Sequence, residues 1–434
     1  MSVSSASSSV SSSSATIFSS SSSNKEQRCF GPSPQRGIHF IQMRARAFLL
    51  GLSLGQGAPS PIPADEWALS YRNWSYFSDW IIPPSCVDPA TCGAPPYVNR
   101  STGFTDIFQV YSLSDPFASP PPSPRFRAAY TFYDGIGYQT ALATSDDGVR
   151  FTQPLAPEGI LYSPRATWPS REGDFDYGGA AFVGPLLTDY NVTAPRVLAR
   201  VNGFSWYAYF AQRTRNALEP PPGATGLAFS RDGVTWERSA DAPILDVNES
   251  RGAGAWEDVQ VYAPFLLATP DGGLADFYNA KGSNEQSGIA RLPGGAAALP
   301  GIGADGRSAW VRDAANPVVR NGNVFDEHMA SDPKVFFDAS LDGGAGAWVM
   351  LYFGFGGNQS HGAAICAAFS RDGAAWEKAS SPLYLPGGHP RGHDRAHAHK
   401  AWLNVDASGR KFLYYTGDDG SGKRGLLLLT STPL

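Results

Sequence analysis

WVMLYFGFGG, residues 348–357, is an aromatic, apolar strand-like run that ends in glycine; ICAAFS (365–370) follows, running on into SRDGAAW (370–376). So short an aromatic run ending in glycine reads as β-strand rather than helix. Asp-Gly is a strong hairpin signal, because glycine accepts a positive φ and the aspartate side chain bonds the turn's own amides. A further strand-like segment, SDPKVFFD (331–338), precedes the pair. One repeat is therefore three or more short antiparallel strands.

The unit recurs five times. Its aromatic member appears as RAAYTFYDG (127–135), WYAYFAQRT (206–214), LADFYNAKG (274–282), WVMLYFGFGG and KFLYYTGDDG (411–420). The small-residue strand after it appears as TALATS (140–145), TGLAFS (225–230), SGIARL (287–292), ICAAFS and LLLLTS (426–431). The strand before it appears as TDIFQVYS (105–112), YGGAAFVGPLL (177–187), VQVYAPFLLA (259–268), SDPKVFFD and HKAWLNVD (399–406). Repeats end at residues 145, 230, 292, 370 and 431, a spacing that suits four-stranded blades of roughly 40–70 residues with modest insertions. The expectation is an all-β five-bladed β-propeller over residues 61–434, without a substantial helix. SDDGVRF (145–151) and SRDGVTW (230–236) repeat the turn and are read as structural.

Composition agrees. The 434 residues are 42% hydrophobic and 12% aromatic, and 47 glycines and 35 prolines suit many strands joined by turns. The net charge is −5 with basic residues scattered, so neither a nucleic-acid footprint nor polybasic attraction to a membrane is expected. Cys86 and Cys92 sit close enough to close a small disulfide. Cys366 reads as a buried free thiol, and Cys29 falls in the tail.

Residues 1–60 read as a separate disordered, serine-rich tail that includes a targeting segment, since serine cannot bury enough apolar surface to offset the entropy of ordering. MRARAFLLGLSLGQG (43–57) resembles a secretory signal with its own start at Met43, and is too short to span a bilayer. The expectation is a secreted or endomembrane glycoprotein, with organelle import as the alternative. Sequons at Asn73, Asn99, Asn191, Asn248 and Asn358 agree with the secretory route.

The S-x-D-G-x-x-[WF] turns, the aromatic repeats and SDPKVF together resemble the five-bladed propeller glycosidases of families 43, 32, 68 and 130. The resemblance covers roughly residues 70–434. The Asp-box of sialidases is one residue longer. What the resemblance implies is a hydrolase of glycosidic bonds, or a related glycosyl-transferring enzyme, whose partner is a carbohydrate. The alternative is a propeller that binds glycans without cleaving them. A monomer is expected.

Glycoside hydrolysis uses two carboxyl groups, one protonating the leaving oxygen and the other attacking or activating water. In a propeller the first strand of each blade lines the central well, so acids there are the catalytic candidates: Asp106, Asp176, Glu257, Asp258 and Asp332. The resemblance implies base or nucleophile for Asp106 and transition-state stabiliser for Asp332. For Asp176 it implies an orienting acid. The third-blade acid is Glu257 or Asp258. Candidates for holding sugar hydroxyls are Glu327, His328, His397, His399 and Lys400. No cofactor is expected, although a divalent ion such as calcium near His399 is an open reading. Trp74, in RNWSYFSDW (72–80), is read either as a sugar platform over the well or as part of a segment that packs on the last blade and closes the ring.

Overall fold

Each repeat folds as an antiparallel sheet. The computed structural model describes residues 61–77, 79–84, 105–133, 136–153, 160–162, 170–216, 222–247, 256–269, 271–356 and 362–431. The serine-rich tail, the leader-like segment, Cys29, Cys86, Cys92, Asn99, Asn248 and Asn358 lie outside the described residues.

The first strand among the described residues is β1 (Trp74–Tyr76). The first sheet follows as β2 (Thr105–Tyr111), β3 (Phe126–Tyr133), β4 (Tyr138–Ser145) and β5 (Ile160–Tyr162). The second is β6 (Gly179–Pro185), β7 (Ser205–Gln212), β8 (Gly223–Ser230) and β9 (Glu237–Arg238). The third is β10 (Gln260–Ala268), β11 (Leu274–Lys281), β12 (Glu285–Leu292) and β13 (Val311–Arg312). The fourth is β14 (Met329–Asp338), β15 (Ala347–Phe355), β16 (Ala363–Ser370) and β17 (Glu377–Lys378), joined to the third by one parallel bridge, Glu285 to Met329. The fifth is β18 (His397–Val405), β19 (Lys411–Asp418) and β20 (Arg424–Ser431), and its fourth strand is β1, paired antiparallel to β20. The architecture is all-β; the one α-helix among the described residues, α1, spans Ala64–Ala68. None of the described helices is long and apolar enough to cross a membrane.

The Asp-Gly turns form as their chemistry dictates. In the fourth sheet Asp372 Oδ1 accepts the Ala374 and Ala375 amides while Gly373 takes φ +73°. Asp147 and Asp232 repeat the arrangement. The buried Trp236 that follows packs edge-on against Phe182 and Tyr207.

The five first strands touch in cyclic order: β2 with β6, β6 with β10, β10 with β14, β14 with β18, and β18 with β2. Below their midpoints, Phe265, Phe336 and Trp402 meet with ring centroids 5.8–6.1 Å apart, all fully buried. Farther along, the β6–β7 connection binds the other four sheets. Ser112 and Leu198 bond through their backbones, and the Val192 amide bonds Phe337 O. Tyr190 donates its hydroxyl to Leu266 O, and Arg196 Nε donates to Leu403 O at 3.0 Å. Arg196 also lies 4.4 Å from the Phe336 ring centroid. The ring of first strands is thus filled at this end by packed aromatics and a buried guanidinium.

Every first strand carries a register shift near its start. The shifts fall between Asp106 and Phe108, Phe182 and Gly184, Tyr262 and Phe265, Ser331 and Lys334, and His399 and Trp402. Such bulges bend the strand and re-aim side chains. In the last three sheets the bulge holds a non-glycine residue at positive φ: Ala263 at 48°, Asp332 at 56° and Lys400 at 55°.

Candidate active site

A cavity of about 260 Å³ sits at the bulged ends of the first strands. First strands and third strands begin at this edge and second strands end here, as the pairings Met329–Phe355 and Ala363–Phe355 show. All five sheets therefore contribute. Tyr138 comes from the first and Phe210 from the second, with Tyr262, Ala263 and Glu285 from the third. The fourth adds Ser331, Asp332 and Phe355, and the fifth His397, His399, Lys400 and Arg424.

Asp332 is its most constrained acid. Its residue is 2% exposed, its backbone is left-handed, and Lys334 Nζ donates to its Oδ1 at 2.8 Å. Left-handed backbone at a non-glycine residue costs on the order of 1–3 kcal/mol and collects at working sites. Among the described residues, Asp332 Oδ2 and Ser331 Oγ have no hydrogen-bond partner although both are buried. The second acid is Glu285, 6% exposed, whose Oε2 accepts a bond from Asn279 Nδ2 at 3.3 Å.

The fifth sheet supplies nitrogen donors. His397 Nδ1 accepts the Ala363 amide at 2.9 Å, and burial holds its imidazole below the usual histidine range. His399 is 4% exposed and meets the Phe353 ring edge-on at 5.5 Å. Arg424 Nε donates to Asp418 Oδ2 at 3.0 Å. Beneath the floor, burial pushes the Asp276 carboxyl up to about 8 and Lys334 below the usual lysine value, Asp332 opposing the latter shift.

The structure brings Asp332, His397, His399 and Lys400 together around this cavity. Asp106 lies on β2, where its backbone pairs with Thr131; its side chain is outside the described set. Its place before the bulge matches that of Tyr262, Ser331 and His399. His328 and Glu327 are exposed just before β14, His328 lying 6.4 Å from Phe355, ring to ring.

Asp176 and Glu257 lie away from the cavity. Asp176 is fully buried and accepts bonds from Ser170 Oγ at 2.6 Å, Tyr209 OH at 3.2 Å and Arg238 Nη1 at 2.9 Å. Glu257 Oε2 accepts from Tyr278 OH at 2.9 Å and Arg312 Nε at 2.8 Å. Both precede the first strand and tie it to the second and fourth strands of their own sheets. Asp258 is half-buried beside Glu257 and is not among the lining residues. Trp74 also lies elsewhere: it is half-buried on the outer strand β1 and its Nε1 donates to Tyr71 O. Of the two readings of its segment, the one that packs on the last sheet describes the position of β1.

Glu285 and Arg424 open third strands, where the propeller pattern read from the sequence assigns no side chain to the well. The signal was present in register: Tyr138, Glu285, Ala363 and Arg424 all open third strands and all line the cavity. Among the described residues no group of three or more His, Cys, Asp or Glu is placed to hold a metal ion.

The sequence matches no family model and no curated protein. Solved structures do resemble the chain. One described as a complex of BT0996 with RGII and another described as a glycoside hydrolase each share 20% identity, cover 85% of this chain and 95% of their own, and superpose with a TM-score of 0.63. A glycosyl hydrolase from Bacteroides ovatus shares 13% identity over 83% of this chain and 94% of its own, with a TM-score of 0.50. This chain has the fold of those glycoside hydrolases.

Proposed function

We propose that the protein is a five-bladed β-propeller glycoside hydrolase working in this cavity. The reading of a propeller is supported by five four-stranded sheets in chain order, by first strands touching in a ring, and by an N-terminal strand that completes the last sheet. The reading of a hydrolase is supported chiefly by one observation: a strained, buried aspartate aimed into a cavity that all five sheets build. Structural likeness to glycoside hydrolases agrees with it.

The chemistry follows from the lining. Asp332, paired with Lys334, supplies negative charge where the sugar ring becomes cationic in an oxocarbenium-like transition state. Glu285 is assigned as the acid that protonates the departing oxygen. Asp106, at the register position that Ser331 holds in the fourth sheet, is assigned as base or nucleophile. His397, His399 and Lys400 hold hydroxyl groups, and Phe355 and Tyr262 give the apolar faces of a sugar ring a surface to rest on.

The test is a screen of aryl glycosides and natural polysaccharides with wild type, Asp332→Asn and Glu285→Gln. Wild type is expected to release sugar. Each variant should lose about 10²-fold or more in kcat, the usual scale for a positioned acid or base, while keeping its circular dichroism spectrum. A non-catalytic glycan-binding propeller is the second reading, since the ion pairs to arginine take Asp176 and Glu257 out of the set of acids open to catalysis. It wins if all three proteins bind glycan and none cleaves it.

A further inference from the structure

We propose that Lys334 is a positioning residue of this site, a buried counter-charge that holds one carboxylate oxygen of Asp332 and leaves the other toward the cavity. The inference rests on the hydrolase reading and adds a residue that does not itself line the cavity.

The geometry separates the two oxygens of Asp332. Oδ1 takes the Lys334 ammonium at 2.8 Å, and Oδ2 has no partner among the described residues. Lys334 is 1% exposed, so this ammonium has left water altogether. A buried lysine is stable only where its charge is answered. Three features answer it: Asp332 itself, the Pro333 carbonyl at 3.5 Å, and the Phe265 ring, whose centroid lies 5.8 Å away. Asp276 on β11 and Lys400 on β18 also act on it electrostatically, with opposite signs. Asp276 Oδ1 accepts the Phe265 amide at 2.9 Å, and the ion pair of Lys334 is with Asp332.

The bulge explains how the pair forms. Residues two apart on a regular strand share a face. Here the left-handed Asp332 and the proline after it break the ladder between Ser331 and Lys334. Asp332 then lines the cavity while Lys334 points beneath it, and the two functional groups still meet. In the third sheet the corresponding positions are Ala263 and Phe265, and in the fifth Lys400 and Trp402. Of these three sheets, only the fourth places an acid and a base at the two sites. An apolar residue at 334 would have continued the aromatic floor, so the lysine is a departure from the pattern of its own repeat.

The experiment compares wild type with Lys334→Met, Asp332→Asn and the double variant, in two arms. The first is the pH dependence of kcat and KM on the best donor from the screen. Without the ammonium, the buried carboxylate is harder to ionise. Lys334→Met should therefore lower kcat about tenfold or more with KM changed little, and move the acid limb of the profile upward by about one pH unit. A merely structural lysine would lower the amount of folded enzyme and leave the profile in place. The second arm is thermal melting from pH 4 to pH 8 and needs no activity. Lys334→Met should melt below the double variant at pH 8, and the gap should close as pH falls. An unshifted rate profile, or a melting gap independent of pH, overturns the proposal. If wild type cleaves no donor, the hydrolase reading fails and Lys334's part in catalysis with it, whereas the melting arm still reports whether the pair is formed.

Discussion

Asp276 shows how far the floor of this site departs from water. It is fully buried on β11, its Oδ1 accepts the Phe265 amide, and desolvation pushes its carboxyl up to about 8. The folded protein therefore holds a proton there that the unfolded chain releases near pH 4. A raised folded value means stability is fully present below pH 4 and is lost as pH rises toward 8, at no more than about 1.4 kcal/mol per pH unit. Asp276→Asn imitates the protonated acid at every pH. Its melting temperature should match wild type near pH 4 and exceed it increasingly up to pH 8. Curves that stay together across the range would mean that Asp276 ionises without cost. Asp332 is read differently because it has a cation in contact, and the two aspartates illustrate opposite solutions to burial on one floor. Neither role was legible at the level of the single residue, since nothing local to LADFYNAKG or SDPKVFFD states which neighbour lies across the sheet.

At the scale of the element, an acid–tyrosine clasp recurs. A carboxylate just ahead of the first strand meets a tyrosine on the second: Asp176 with Tyr209, Glu257 with Tyr278, Asp326 with Tyr352 and Asp394 with Tyr415. A cation on the fourth strand completes three of them: Arg238, Arg312 and Lys378. In the fifth sheet that strand is β1, and Tyr384 donates to Asp394 in place of a cation. These clasps explain why a search for acids at strand entrances found Asp176 and Glu257. The position is polar in repeat after repeat because it fastens the sheet. The three long strands of each sheet and their order were legible, since alternation and Asp-Gly turns act over a few residues, whereas the two- and three-residue fourth strands carry too little pattern to be read. Which acid faces the cavity was not, because the bulge that turns Asp332 inward depends on pairing across the sheet. Arg238→Met takes the guanidinium away from the buried Asp176 carboxylate. Losing one member of such a pair costs about 3–5 kcal/mol, so urea denaturation should shift by that amount. Asp176→Asn in the same background should recover part of it, whereas an additive double variant would show that the clasp carries no coupling.

Within the ring of first strands the described residues follow in order: the cavity, then Asp332 and Lys334, then the aromatic floor, then Arg196 and its connection. The N-terminal strand joins the last of the five sheets. β1 pairs with β20 from Trp74–Ser431 to Tyr76–Leu429. Ahead of it, Trp67 meets Phe369 edge-on at 5.9 Å, Tyr71 donates to the buried Asp338 at 2.5 Å, and Arg72 Nη2 bonds Ser381 Oγ at 2.7 Å. The same short segment thereby fastens the fifth sheet to the fourth. Removing residues 1–77 would bare the edge of β20, whose Leu426, Leu427, Leu428 and Leu429 are fully buried. It would also expose the apolar surface now under Trp67 and Tyr71, each such side chain contributing about 1.5–3 kcal/mol. A bare apolar edge invites pairing between molecules. The shortened protein should melt well below the full chain and scatter light in a concentration-dependent way. Supplying residues 61–77 as a peptide should raise its melting temperature. A shortened chain that melts with the full one, and stays monodisperse, would show that the five sheets hold together without this join.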